Sequence, residues 1–171
     1  VEVEGNFNPP FDQLLVGVIT ELTNDAVKLA TDSVGSHVAR TVISQLNGDR
    51  FHKSLVKFIR KIISGLRENP NRVKSTHFAA TVEEIAKLNP VTYERDLKYL
   101  TDQIPVDLEN TKDKAASRLF EDLLKNKLAD FASTLYQNVL QDNAIDVAFD
   151  RCGNFVLQRW LEVVEDHSQF K

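Results

Sequence analysis

Methionine is absent from all 171 positions, and cysteine occurs once, as Cys152. One cysteine excludes an internal disulfide and gives no thiolate cluster for a metal, which fits a reducing compartment. The lack of any methionine, the first position included, leads to the expectation that the chain is a piece of a longer protein. No run of 18 apolar residues occurs, so no stretch reads as a membrane span, and no secretory-signal pattern opens the chain. Period-two alternation is confined to the first few residues, which leaves a sheet without a basis in the sequence. Also missing are a nucleophile–base pair, a metal cluster and a phosphate loop, so neither catalysis nor a metal nor a cofactor is expected. Ser36 beside His37 is not a hydrolase dyad, because neighbours on a helix point about 100° apart.

What is present is enough for a folded domain and a clear internal repeat. The chain is 42% hydrophobic, which supports an ordinary core. Residues 26–43 align without a gap to residues 144–161, an offset of 118, in the frame Ala-[Val/Ile]-x-[Leu/Val]-Ala-x-Asp-x-x-Gly. A repeat of this kind predicts a solenoid with one reused surface. Dividing the offset by three gives a unit of about 39 residues, in the range of helical repeats. Weaker copies are then expected near residues 74 and 114. Setting Gly35, Ser75, Ala116 and Gly153 equivalent places a small residue wherever two helices pass closely. The predicted fold is an all-α, curved, armadillo-like solenoid of about four repeats, near 11–49, 50–90, 91–127 and 128–165. Residues 1–10 and 166–171 read as tails.

After each small residue an apolar stripe recurs at helical spacing: Val38, Ala39, Val42 and Ile43; Leu119, Phe120, Leu123 and Leu124; Val156, Leu157, Trp160 and Leu161. The second copy shows Phe78, Ala79 and Val82 and then breaks at Glu83. Helices are also expected over 11–23, with Leu14, Leu15, Val18 and Ile19 inward, over 54–66, and over 93–103. A polar loop is expected from there through Lys114. Asp32, Asp113 and Asp150 read as caps of the second helices.

Removing the stripe leaves three positions in each second helix. They are Ser36, His37 and Arg40; Thr76, His77 and Ala80; Ser117, Arg118 and Glu121; and Asn154, Phe155 and Gln158. The first and third of each set lie one turn apart on one face. Two polar side chains so placed can meet the edge of a nucleobase, while a planar neighbour stacks on its ring.

These residues carry a family resemblance. Asp150, Gly153, Asn154, Phe155 and Gln158 resemble the pumilio-homology repeat, in which Asn and Gln read uracil beneath a stacked aromatic. Asp113, Ala116, Ser117, Arg118 and Glu121 are similar to the guanine-reading form. The first copy keeps the frame but has Arg40 in place of Gln or Glu, and the second keeps neither the glycine nor the polar third position. Gly35 through Ile43, with the helix that follows, is most similar to the nucleolar protein 9 family. That resemblance implies binding of single-stranded precursor ribosomal RNA in small-subunit assembly, in the nucleolus, as a monomer, alongside other assembly proteins and no membrane. A pumilio-type messenger-RNA regulator in the cytoplasm and a HEAT- or armadillo-like protein scaffold remain as alternatives.

The overall charge of −4 is unevenly spread. Residues 50–74 carry eight basic side chains against one acidic one, Glu68. Such a stripe can attract a polyanion through its local potential, or be simply a solvated helix face.

Overall fold

A computed structural model of the chain describes residues 11–128 and 130–168, with side chains through Val164. The first expected tail and residues 169–171 of the second fall outside the described residues, whereas residues 166–168 continue helix rather than forming a tail. Among the described residues the chain is all-helical and contains no strand. Helices α1 (Phe11–Asn24), α2 (Ala26–Thr31) and α3 (Gly35–Gln45) form a first unit. Helix α4 (His52–Glu68), a 3-10 turn over Pro70–Lys74 and α5 (Thr76–Ala86) form a second. Helices α6 (Glu94–Gln103), α7 (Leu108–Lys112) and α8 (Lys114–Lys125) follow. The last unit comprises α9 (Phe131–Leu135), a π-helical turn (Tyr136–Leu140), α10 (Gln141–Phe149) and α11 (Gly153–Ser168).

Each unit therefore runs as first helix, short segment, second helix. The second helices pack in series, α3 on α5, α5 on α8 and α8 on α11, while α4 lies against α1 and α6. One continuous core runs through all four units and includes Ile19, Phe58, Phe78, Phe120 and Phe131. Phe120 and Phe131 meet edge-on, with ring centroids 5.4 Å apart. Trp160 rests on this core, stacked on Tyr136, and its indole N–H donates to the Ala132 carbonyl at 2.9 Å.

The start of each second helix sets the register of the repeat. The carboxylates of Asp32, Asp113 and Asp150 each accept from two backbone N–H groups, those two and three residues ahead. Their carbonyls accept from Ser36, Ser117 and Asn154, four residues ahead. Ser75 does the same work in the second unit, its hydroxyl accepting from Phe78 N–H and its carbonyl from Ala79 N–H at 2.8 Å. Ser75 is thus equivalent to the three aspartates, not to Gly35. The sequence alignment placed the second copy three residues out of step.

The shift restores the apolar stripe that broke at Glu83. In the corrected register it reads Thr81, Val82, Ile85 and Ala86, all buried. It also places Phe78 where the other units have Gly35, Ala116 and Gly153. Those positions are small because the short segment presses close: a Cβ on Gly35 would lie 3.0 Å from the Leu29 carbonyl oxygen, and one on Gly153 would lie 3.1 Å from that of Val147. In the second unit the 3-10 turn replaces the short helix and Phe78 is fully buried. There the small residue sits on the first helix instead, as Gly65 beside Phe78.

Two further expectations change. The polar stretch before Lys114 contains α7, started by the Asp107 carboxylate accepting from Asn110 N–H at 2.8 Å. In α1, Ile19 is buried, but Leu14 and Val18 are 49% and 54% exposed. They lie on the outer side of the first unit. Val38, on the same side, is also exposed, whereas its equivalents Thr81, Leu119 and Val156 are buried beneath a preceding unit. At the other end Leu161 is exposed, while its equivalents Ile43, Ala86 and Leu124 are covered by a following one.

Candidate nucleic-acid interface

Between consecutive second helices run clefts whose walls are built from equivalent positions. The cleft between α8 and α11, about 370 Å³, is lined by Ser117, Arg118 and Glu121 on one side and by Arg151, Cys152 and Phe155 on the other. That between α5 and α8, about 310 Å³, has Ala79, Ala80 and Glu83 facing Lys114, Ala115 and Arg118. In the register set by the caps, every one of these residues matches its counterpart. The side chain following the first polar position, Arg118 or Phe155, forms a wall of the cleft before it.

A second repeated contact ties the units together on the same register. Lys74, just before the Ser75 cap, pairs with Glu109, four residues before the Asp113 cap. Lys112, just before Asp113, pairs with Asp146, four residues before Asp150. This Lys-to-acid spacing was present in the sequence and is the signal that would have corrected the second copy. The first unit has Thr31 and the second has Asn71 at the corresponding places, so the pair does not form there.

The fourth unit has the most complete set. Gln158 Nε2 donates to Asn154 Oδ1 at 3.2 Å, so the two amides share one face one turn apart. Asn154 Nδ2 donates in turn to the Asp150 carbonyl at 2.7 Å, which holds the amide in place. Phe155, 53% exposed, stands beside them with an open ring face. In the third unit Arg118 is exposed and Glu121 half-buried, while Ser117 is buried and its hydroxyl lies 3.5 Å from the Lys114 carbonyl. Loss of hydration raises the Glu121 carboxyl above its ordinary value, against the pull of nearby Lys125.

The first unit is closed in on itself. Ser36 is buried, and the Arg40 guanidinium donates to His37 Nδ1 at 2.9 Å and to the Ser36 carbonyl at 3.3 Å. A guanidinium N–H only donates, so His37 Nδ1 is the acceptor in this contact. In the second unit the corrected register replaces Thr76, His77 and Ala80 by Ala79, Ala80 and Glu83. Thr76 and His77 are exposed at the head of α5, and His77 lies close enough to contribute to the lowered carboxyl of Asp32, whose main cause is the two backbone N–H donors. Glu83 is held by Lys87 at 2.6 Å. At the three corrected positions the second unit therefore has no planar ring, and its one long polar side chain, Glu83, is engaged by Lys87.

Of the eleven side chains singled out from sequence, Ser117, Arg118, Glu121 and Phe155 line the α8–α11 cleft, and Asn154 and Gln158 pair with each other one turn apart on α11 next to Phe155. Ser36 and Ser117 are buried, His37 and Arg40 are spent on one another, Thr76 and Ala80 line the α5–α8 cleft, and His77 does not line either cleft. Among the described residues no cluster of His, Cys, Asp or Glu has the arrangement of a metal site, and no helix is long and apolar enough to cross a membrane. In comparisons with known proteins, no family model, curated protein or solved structure matches the chain.

Proposed function

We propose that the chain is a solenoid of pumilio-like repeats that binds single-stranded RNA along the row of second helices. The observation that carries this reading is the α8–α11 cleft, walled by the exposed side chains of Arg118 and Phe155, with an amide pair one turn apart on α11 next to Phe155. A base entering there stacks between Arg118 and Phe155, and such stacking contributes about 1–3 kcal/mol per base. Asn154 and Gln158 supply a donor and acceptor set suited to uracil. Glu121, an acceptor when ionised, suits the ring and amino N–H groups of guanine. The mechanism is occupancy rather than chemistry. By its resemblance to the nucleolar protein 9 family, the RNA is precursor ribosomal RNA and the setting is small-subunit assembly in the nucleolus. Bound protein would shelter that segment from premature cleavage or folding.

The test is titration of labelled oligonucleotides, with single bases exchanged, against the wild type, Asn154→Ala/Gln158→Ala and Glu121→Ala. The expected result is loss of uracil preference in the first variant and of guanine preference in the second, each about 1–3 kcal/mol by the worth of a good edge contact. Unchanged preference in both variants would remove base reading from this face.

A further inference from the structure

The two ends of the stack are apolar at places where its interior is charged. In the register of the caps, Leu14 and Val18 of α1 take the places that Lys57 and Lys61 hold in α4. At the other end Phe149, just before the Asp150 cap, takes the place of Lys74 and Lys112. Phe11, Leu14, Val18, Val34 and Val38 are exposed in the first unit, and Ile145, Phe149 and Leu161 in the fourth. A stack of repeats that ends in water carries a polar outer face on its terminal units. The described residues give these two ends apolar side chains instead, and grouped exposed apolar side chains mark contact sites.

The contacts between units inside the chain say what fits each end. Val27, the equivalent of Ile145, lies over Gly65 of the next unit, and counted from the caps Gly65 corresponds to Leu22. Ile43, Ala86 and Leu124, the equivalents of Leu161, are buried where the second helices pack in series. Thr81, Leu119 and Val156, the equivalents of Val38, are buried from the other side of the same contacts. Lys74 and Lys112 reach acids four residues before the next cap, a place held in the first unit by Lys28. A fourth unit set against a first unit in this register brings Ile145 to Leu22 and Leu161 to Val38. It also brings the Phe149 ring to the Lys28 ammonium, a favourable cation–π pair. Each end is thus the complement of the other.

We propose that a second copy of this chain stacks head to tail on the first, the fourth unit of one against the first unit of the other. The contact joins two different surfaces, so it is open-ended and adds chains in a row. It also completes a cleft. Ser117, Arg118 and Glu121 face a wall made of Arg151, Cys152 and Phe155 in the following unit. Their counterparts Asn154, Phe155 and Gln158 lie on the last helix, with no following unit among the described residues. A second copy supplies the missing wall as Ser33, Val34 and His37, and a base on the amide pair then lies between the ring of Phe155 and that of the added His37. This last step rests on the reading of the second helices as an RNA-binding row; the association itself does not.

Sedimentation velocity and light scattering without RNA test the association, on the wild type, on Val38→Glu at the first-unit end and on Leu161→Glu at the fourth-unit end. Phe149→Glu, at a side chain open to water, blocks the fourth-unit end a second way without touching the core, and circular dichroism checks that each variant keeps its helices. The expected result is a wild-type mass that climbs with concentration past that of two 19.4 kDa chains. Each variant alone should stay monomeric, since its intact end meets only the blocked end of other copies. An equimolar mixture of Val38→Glu with either fourth-unit variant should form a pair that grows no further. A wild type that stays monomeric up to about 1 mM would overturn the proposal. So would growth that stops at two chains, or a mixture that fails to pair, because neither fits a contact between two different ends. An oligouridine probe then tests the shared cleft. The mixed pair should bind it about tenfold more tightly than either variant alone, and His37→Ala in the Leu161→Glu chain should remove the gain. Pairing without that gain would overturn the shared base site and leave the association standing. Binding of no single-stranded RNA by any of these proteins would overturn the function reading and the shared base site together, and the masses would still decide the association.

Discussion

Gly65 offers a measurable test of how the first two units fit. It is a buried glycine inside α4, where alanine would be the better helix former by about 1 kcal/mol. A Cβ there would stand 2.9 and 3.2 Å from the two methyl carbons of Val27 on α2, and 3.6 Å from Phe78. The nearest contact is shorter than packed carbon atoms tolerate, and overpacking of this kind costs about 1–3 kcal/mol. Taking about 2 kcal/mol for the overlap against the propensity gain, Gly65→Ala should destabilise by about 1 kcal/mol, a fall in Tm of about 3 °C for a chain of this size. Val27→Ala removes the two methyl groups and by itself should cost about 1–2 kcal/mol. In that background Gly65→Ala should become stabilising by about 1 kcal/mol, so the two changes couple by about 2 kcal/mol. Urea and thermal unfolding followed by the helical circular dichroism signal of all four proteins completes the cycle. If Gly65→Ala were equally stabilising in both backgrounds, α2 would not lie over Gly65 and the packing of unit one on unit two would be refuted.

The core and the ends of the stack should respond differently to the same loss of an aromatic. Phe120→Ala, at a fully buried site, should cost about 3–5 kcal/mol, whereas Phe149→Ser, at a side chain 89% exposed, should change unfolding free energy by less than about 0.5 kcal/mol; equal losses would contradict the described burial. Guanine preference should depend on pH through Glu121. Its carboxyl is raised above the usual glutamate value by burial, and only the ionised form accepts from guanine on both oxygens, so preference should be full at neutral pH and fade on acidification at a higher pH than an ordinary glutamate would require. The sign for stability is the reverse: a raised folded value means the native state holds its proton more tightly, so this group's contribution declines as pH rises through that value. Oligonucleotide titrations between pH 4.5 and 7.5, with Glu121→Gln as the pH-insensitive control, check the binding half; retention of the wild-type pH dependence in that variant would remove Glu121 as its source.

Several features were legible because their causes are local. The helix-period stripes of the first, third and fourth units mark the core in the sequence, and the three aspartates mark helix starts because each carboxylate accepts from N–H groups within three residues. The amide pair Asn154 and Gln158 could likewise be placed on one face from a spacing of four. The second unit was misread for an equally physical reason. Its cap is Ser75 rather than Asp, and its close approach is relieved by Gly65 on the preceding helix rather than by a small residue on its own, so both landmarks of the repeat are displaced.

The sequence by itself thus determined the all-helical class, the caps and the side chains that share a helix face, since each follows from interactions within one turn of chain. Only the tertiary structure decided which of those side chains remain available. Ser36 and Ser117 have the residue type and spacing of edge readers, yet packing between units buries them, and Arg40 turns back onto His37. The same packing sets Arg118 and Phe155 into the walls of one cleft. Exposure is a property of how whole helices cover one another, and no pattern within a single helix carries that information.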